Sequence, residues 1–309
     1  MSLLTRRLLM LGGFAFLLVA PFVFYPLFLI KFLCFALFAC AFNLAMGTAG
    51  LLSFGHAAFF GSAAYVAAHS AKVWGFPFEA AVLSGGLAAG FLGLIFGVIS
   101  IRRPGIYFTM ITLALAQLIY FLAVQLPFTH SEDGIQSVPR GYLFGVVNLT
   151  NMYAMYFTTV GIFIIGLAII YRVVHSPFGS ILKAIRENPA RAMSLGFDAD
   201  RFKLAAFVIS AALSGIAGAT KAIAFQFASL SDVHWIISGD VILMALLGGS
   251  ATIFGPVVGA ALILGLDEFL AESGWPIQPI IGTIFVICVL LFRRGIVGEL
   301  DNLLFVRKR

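Results

Sequence analysis

Charged residues are few in this chain, and they are unevenly placed. Lys and Arg number 19 and Asp and Glu 13 among 309 residues, or 10%, while 61% are hydrophobic. An average soluble domain carries about 25% charged and about 45–50% apolar residues. So little polar surface cannot cover a water-facing shell, which excludes a soluble enzyme, a disordered chain, a coiled coil and a small disulfide scaffold. Uncharged runs such as 205–219 are long and unbroken. They suit helices in lipid, whereas a membrane barrel would alternate apolar and polar residues in strands of about ten. The expected fold is an all-α polytopic membrane protein.

The three cysteines, Cys34, Cys40 and Cys288, all lie in apolar runs. Cys34 and Cys40 stand about 9 Å apart along a helix axis and cannot bridge. The five histidines, His56, His69, His130, His175 and His234, have no metal-ligand spacing. No metal site and no catalytic group is expected. Thr5-Arg6-Arg7 resembles a twin-arginine export signal, but the apolar run over 8–30 is too long for one and reads as a first span with a basic flank.

A span needs roughly 20 apolar residues. Candidates fall at 8–28, 29–47, 50–71, 79–100, 106–126, 153–172, 203–225 and 276–292, with a broken segment at 237–271. Basic residues mark the cytoplasmic side. Threading the chain this way puts fifteen basic and five acidic residues on one side, and four basic and eight acidic on the other. That sorting accounts for the net charge of +6 without nucleic acid. Both termini are expected in the cytoplasm. Segment 237–271 must then begin and end outside. Gly248-Gly249-Ser250 and Gly255-Pro256 break it near its middle. The expectation is a hairpin of two helices, about 240–252 and 256–270, and about eight full spans besides it, eight to ten in all.

Small residues recur at four-residue spacing. Gly86, Gly90, Gly93 and Gly97 share one helix face, Ala211, Gly215 and Ala219 another, and Gly255 and Gly259 repeat the pattern. Such faces let helix backbones approach closely, within one chain or against a second membrane subunit.

Residues 173–202 form the one long cytoplasmic loop and, with Arg172 and Lys203 at its edges, hold six of the 19 basic residues. Ser176 and Pro177 are a helix cap and a first helical residue. Phe178, Ile181, Leu182 and Ile185 then make one apolar stripe, with Lys183, Arg186 and Glu187 off it. Asn188-Pro189 repeats the start signal, and Gly196 is placed to end the second helix in the left-handed conformation. This amphipathic helix–turn–helix could lie on lipid, tie spans together, or dock a soluble partner.

The run from Ser176-Pro177-Phe178-Gly179 through Ala184-Ile185-Arg186-Glu187-Asn188, Ala192 and Leu195-Gly196 resembles the cytoplasmic signature of branched-chain amino acid ABC transporter permeases of the LivM type. Three further motifs resemble that family: 47–61 with its glycine-rich Gly47-Thr48-Ala49-Gly50, Arg103-Pro104-Gly105-Ile106-Tyr107-Phe108 with Thr112-Leu113-Ala114, and the hairpin run Leu246-Leu247-Gly248-Gly249 with Gly255-Pro256-Val257-Val258-Gly259-Ala260. The resemblance implies a single permease domain over 1–309 in the bacterial inner membrane, in contact with lipid. It also implies a homologous LivH-type permease as partner, two cytoplasmic ATPases that bind ATP and Mg, and a periplasmic binding protein. The chain itself has no phosphate-binding loop and is not expected to bind a cofactor. Segment 173–202 would then couple to an ATPase through Phe178, Gly179, Ile181, Leu182, Ile185, Arg186, Glu187, Ala192 and Gly196. Glu187 and Gly196 match the acidic residue and the glycine of the importer coupling motif, from which Asn188-Pro189 departs. The implied function is inward movement of a small amino acid, or of urea or a related amide, by alternating access. An ion-coupled secondary transporter is the rival, although Asp240, Asp267 and Glu268 are expected only at the flanks of the hairpin.

Polar groups at membrane depth are candidates for a substrate path. Asn43, Ser53 and His56 cluster at the break after the second span, where Gly47, Gly50 and Gly55 allow unwound backbone. Thr109, Thr112, Gln117 and Tyr120 share roughly one face of the fifth span. Both sets are expected to face the path or to be satisfied by neighbouring helices. The external loop 127–150 carries Glu132 and Asp133, which suit either a binding-protein contact or a solvated loop.

Overall fold

In the computed structural model the described residues are 19–250, 252–273, 279–280, 282–283, 286 and 295–299. Most of the expected spans 8–28 and 276–292, both termini and Cys288 lie outside them. The described elements are overwhelmingly helical. Helix α1, Pro26–Asn43, runs on into a π turn, Leu44–Thr48. Then come α2, His56–Lys72, α3, Phe78–Ser100, α4, Ile106–Gln125, and α5, Met152–Val174. Two short helices follow, α6, Pro177–Glu187, and α7, Pro189–Ser194, then the long α8, Ala199–Phe225, and the hairpin pair α9, Trp235–Gly248, and α10, Gly255–Ser273. Four two-residue strands, β1 Ile135–Gln136, β2 Tyr142–Leu143, β3 Val147–Asn148 and β4 Phe227–Ala228, pair antiparallel as β1–β4 and β2–β3.

Five of these helical stretches are long and apolar enough to cross a membrane: Pro26–Thr48, α3, α4, α5 and α8. The expected span 50–71 starts late, at His56, and is a 17-residue helix buried along most of its length. Gly50, at φ +72°, and the turn over 50–55 occupy the first third of that segment. The boundary expected between residues 28 and 29 falls at Tyr25, because Pro26 is the first residue of α1.

Helix α8 runs through the centre, packed on α1, α2 and α3. Its small residues make this possible. A Cβ added to Gly218 would meet the Phe60 carbonyl oxygen, and one at Gly215 would meet the Ala89 and Ala63 methyls. The α3 glycine face answers it: Gly86 lies on Ile216, Gly93 on Ala211 and Gly97 on Leu204. Both predicted small-residue faces are therefore used within the chain. With no water to expel between helices in lipid, such close approach, through dispersion, is what holds them.

The hairpin exists with shifted boundaries. Gly249 ends α9 at φ +113°, and Thr252 Oγ1 accepts from Gly255 N at 3.0 Å to start α10. Its two arms touch backbone to backbone, since a Cβ on Gly248 would meet Gly255 O and one on Gly259 would meet Met244 O. Lys31 pairs with Asp267 at 3.5 Å, and Asn43 Nδ2 donates to Thr252 O at 2.9 Å. From Lys31 to Asn43 is about 18 Å of helix rise, so the hairpin runs alongside most of α1. Asp240 and Asp267, expected at its flanks, lie within α9 and α10.

At the opposite end of the bundle from α6, segment 127–150 is ordered against the helix ends. Arg140 donates to Ala224 O at 2.7 Å from Nη2 and 3.1 Å from Nε, capping the last turn of α8 with a cation. Burial lowers the pKa of this guanidinium. Lys72 Nζ donates to Gln136 O at 2.8 Å, and Phe144 N to Glu79 Oε2 at 3.4 Å.

Gly218→Ala should destabilise the fold, because the new methyl meets a carbonyl oxygen that cannot move without shifting α2; overpacking of this kind costs about 1–3 kcal/mol. Gly239, in α9, has open space around it, so Gly239→Ala should not lower the melting temperature. Thermal unfolding of both variants in detergent checks the pair.

Candidate functional site

Local chemistry builds the α6–α7 pair. Ser176 Oγ accepts from Gly179 N at 3.3 Å, Asn188 Oδ1 from Arg191 N at 3.0 Å, and Asp198 Oδ1 from Arg201 N at 3.2 Å. Each side chain thereby satisfies an amide that the first helical turn leaves open. Gly196, at φ +90°, ends α7, its N–H bonded to Met193 O at 2.9 Å.

The apolar stripe of α6 faces its own bundle. Gly179, Leu182 and Ile185 are buried, Phe178 and Ile181 half-buried, and Phe178 stacks on Phe202 of α8 at 5.5 Å. Gly179 sits so close to the end of α5 that a Cβ would meet the Val173 and Val174 carbonyl oxygens. Ala192 is buried as well. Of the nine residues the resemblance marks for coupling, Arg186, Glu187 and Gly196 are exposed. The outward apolar groups are three others: Met193, 56% exposed, Leu195, 71%, and Phe197, 37%. Met193 lies in a helix too short to show periodicity and Leu195 just past its end, so the apolar periodicity passes over both.

Arg186 reaches back under the bundle. Its guanidinium donates to Gly47 O in the π turn, and its alkyl stem lies on Gly50. On the other side of the same turn, Asn43 holds the hairpin tip through Thr252 O, and Cys40 Sγ lies 3.7 Å from Ile253 O. Gly47 has no room for a side chain between Ser250 O and Asn43 Oδ1.

The expected path residues divide. His56 is fully buried, its Nε2 2.9 Å from Ser210 Oγ, which in turn donates to Ala41 O at 2.5 Å. Phe42, Phe59 and Phe207 surround the imidazole edge-on at 5.0–5.5 Å. His56 therefore ties α2 to α8 and α1 instead of facing an opening. Ser53 Oγ accepts from Gly55 N at 3.0 Å, and Thr112 Oγ1 donates to Thr109 O at 2.9 Å; both residues are wholly buried. Thr109 is half-buried and donates to Leu52 O at 3.0 Å, whereas Gln117 is exposed on the outer face of α4. Ser238, which the sequence reading passed over, joins α9 to α2 by accepting from Ala57 N at 2.8 Å.

Towards the end that carries segment 127–150, Lys221 and Asp232 form an ion pair with side chains only 16% and 4% exposed. Lys221 also lies 6.0 Å from the Phe60 ring centre. The pair fixes the 3₁₀ turn Leu230–Val233, which carries the chain from α8 to α9, against α2, where Gly61 leaves space for Val233.

Apolar helices long enough to cross a membrane, a broken hairpin threaded along α1 and a basic amphipathic helix pair at one end mark a multi-pass membrane protein. A family model described as branched-chain amino acid transport system / permease component matches residues 25–293, and the chain belongs to that family. It is 25% identical over 277 residues to the high-affinity branched-chain amino acid transport system permease proteins LivM of Escherichia coli K12 and of Salmonella typhimurium LT2. These matches take in 82% of this chain and 65% of each relative, so the chain spans just under two thirds of their length. Over 93 residues it is 31% identical to a probable branched-chain amino acid transport permease protein LivH of Methanocaldococcus jannaschii, covering 30% of this chain and 29% of that one. No solved structure gives a significant match.

Asp232→Ala would leave the Lys221 ammonium buried without its partner. A broken buried pair costs about 3–5 kcal/mol, and the variant should melt well below wild type. Asp267→Ala removes a half-exposed pair worth about 0–1 kcal/mol and should melt within a few degrees of wild type. Parallel thermal melts in detergent check the contrast.

Proposed function

We propose that the chain is the membrane-spanning permease subunit of an ATP-driven importer for a small amino acid, of branched-chain type. The observation that carries this reading is the α6–α7 pair: a short helix pair seated on its own bundle by its apolar face, presenting Met193 and Leu195 outward among basic residues. A lipid-bound helix would turn its apolar stripe to the membrane, and this one turns it inward. The surface left over suits a soluble protein partner.

On this reading the end of the bundle that bears Arg102, Arg103, Arg172, Lys183, Arg186 and Arg191 is cytoplasmic, and 127–150 is external. The chain is one permease domain of eight full spans plus the hairpin. It pairs with a homologous LivH-type permease in the bacterial inner membrane. Two ATPases, holding ATP and Mg, dock on the cytoplasmic side, and a periplasmic binding protein delivers solute to the external segment. Glu187, Met193, Leu195 and Gly196 form the ATPase-facing surface, while Phe178, Gly179, Ile181, Leu182, Ile185 and Ala192 seat it. The open face of α4, with Thr109 and Gln117, lines the route between the two permeases. The chain's own task is conformational: it carries rigid-body motion of the ATPases into the spans and hydrolyses nothing itself.

Purification of the tagged chain from its native membranes should bring down two ATPases and a second permease. Substrate-loaded binding protein should stimulate ATP hydrolysis by that complex. Leu195→Glu should lose the ATPases while the melting temperature of the chain stays put. A wild-type chain that carries solute into liposomes alone and without ATP contradicts the proposal. Gln117→Ala should slow uptake per assembled complex, and an unchanged rate would remove Gln117 from the route.

A further inference from the structure

Three elements that are remote in sequence meet at one turn of backbone. The π turn Leu44–Thr48 lies between α6 and the tip of the hairpin, the residues joining α9 to α10. A helix that widens to π and then stops leaves carbonyl oxygens without intrahelical partners. Here one of them, Gly47 O, accepts from Arg186 of α6. From the other side Asn43, one residue before the π turn, donates to Thr252 O at the tip. Gly47 lets Ser250 O approach where any Cβ would block it.

Between the three elements lies a cavity of about 60 Å³. Asn43 lines it from α1, Gly47 and Thr48 from the π turn, Ser250 and Thr252 from the tip, Lys183 from α6, and Ile170 and Val174 from α5. Asn43 Oδ1 is buried at this site and has no hydrogen-bond partner among the described residues. An unpaired buried amide oxygen is costly. The Lys183 side chain lines the same cavity.

We propose that the π turn is the mechanical link from α6 to the hairpin. Arg186 fastens α6 to Gly47, and Asn43 fastens Thr252 to the same turn, so a displacement of α6 carries the hairpin tip with it. Asn43, Gly47 and Arg186 are positioning residues: they touch neither solute nor nucleotide. This rests on the reading that α6–α7 receives motion from an ATPase, and it adds the element that the motion reaches.

The test uses the full complex in proteoliposomes and measures solute imported per ATP hydrolysed. Arg186 is exposed, so Arg186→Ala should keep the fold, which leaves the link testable even where Asn43→Ala lowers the yield. Each variant should cut the import-to-hydrolysis ratio about fivefold, within the range by which residues along a coupling route act. For Asn43→Ala, which lies away from the ATPase-facing surface, ATP hydrolysis and subunit content should stay near wild type; for Arg186→Ala the ratio is read on complexes matched for ATPase content. Because the two contacts act in series, the double variant should be no worse than the worse single one, whereas independent effects would multiply. Unchanged ratios, multiplying effects, or uptake and hydrolysis falling together would each overturn the link. A wild-type complex without ATPases would overturn the permease reading itself, and the link with it.

Discussion

The structure depends on how closely helix α8 lies against α2 and α3. Gly218 touches the backbone of α2 at Phe60, and Gly215 lies on the Ala63 and Ala89 methyls, with nothing larger than a methyl between the helices at these points. In lipid, apolar helices gain nothing by leaving their solvent, so contact area at short range has to supply the attraction. Everything functional is hung on that core. His56 bonds Ser210 of α8, Arg140 caps the end of α8, and Lys221 of α8 holds the turn that leads into the hairpin. The α8 N-terminus, with Phe202, receives α6.

A rigid centre makes the periphery informative. The hairpin tip, the π turn and α6 are tied to one another by polar contacts beside the close approach of Gly47 to Ser250 O. Their contacts are few and specific: Arg186 to Gly47, Asn43 to Thr252, and a small cavity with one unpaired amide oxygen. A bundle whose core cannot shear while its edge elements are pinned to one another through a single turn moves those elements together. Packed interfaces switch between discrete arrangements rather than deform, and the cavity beside Asn43 offers the space for a second arrangement.

What the sequence made legible was local. Ser176-Pro177, Asn188-Pro189 and Gly196 mark helix ends by chemistry that needs no tertiary context, and all three lie where expected. The hairpin break was legible for the same reason, because Gly248-Gly249-Ser250 followed by Gly255-Pro256 gives a weak helical stretch and then the residue that opens a new helix. The direction in which an apolar stripe faces was not. The pattern Phe178, Ile181, Leu182, Ile185 shows that one face is buried but not against what, and the outward groups Met193 and Leu195 carry no periodic signal. Polar residues inside spans were equally ambiguous: His56 and Gln117 look alike as letters, yet one is sealed among three phenylalanines and the other is exposed. The link at Gly47 was beyond reach, since residues 43, 186 and 252 are brought together only by the fold.

The most direct measurement is a set of three distances through the ATP cycle. Spin labels on Ser180 of α6 and Phe254 of the hairpin tip, with a third on Tyr107 of α4 as reference, are read in the assembled complex by pulsed electron resonance. All three positions are exposed. If α6 and the tip are one mechanical body, the Ser180–Phe254 distance holds when ATP is bound while both distances to Tyr107 change together. A Ser180–Phe254 distance that changes on ATP binding while Phe254–Tyr107 stays fixed would contradict the account.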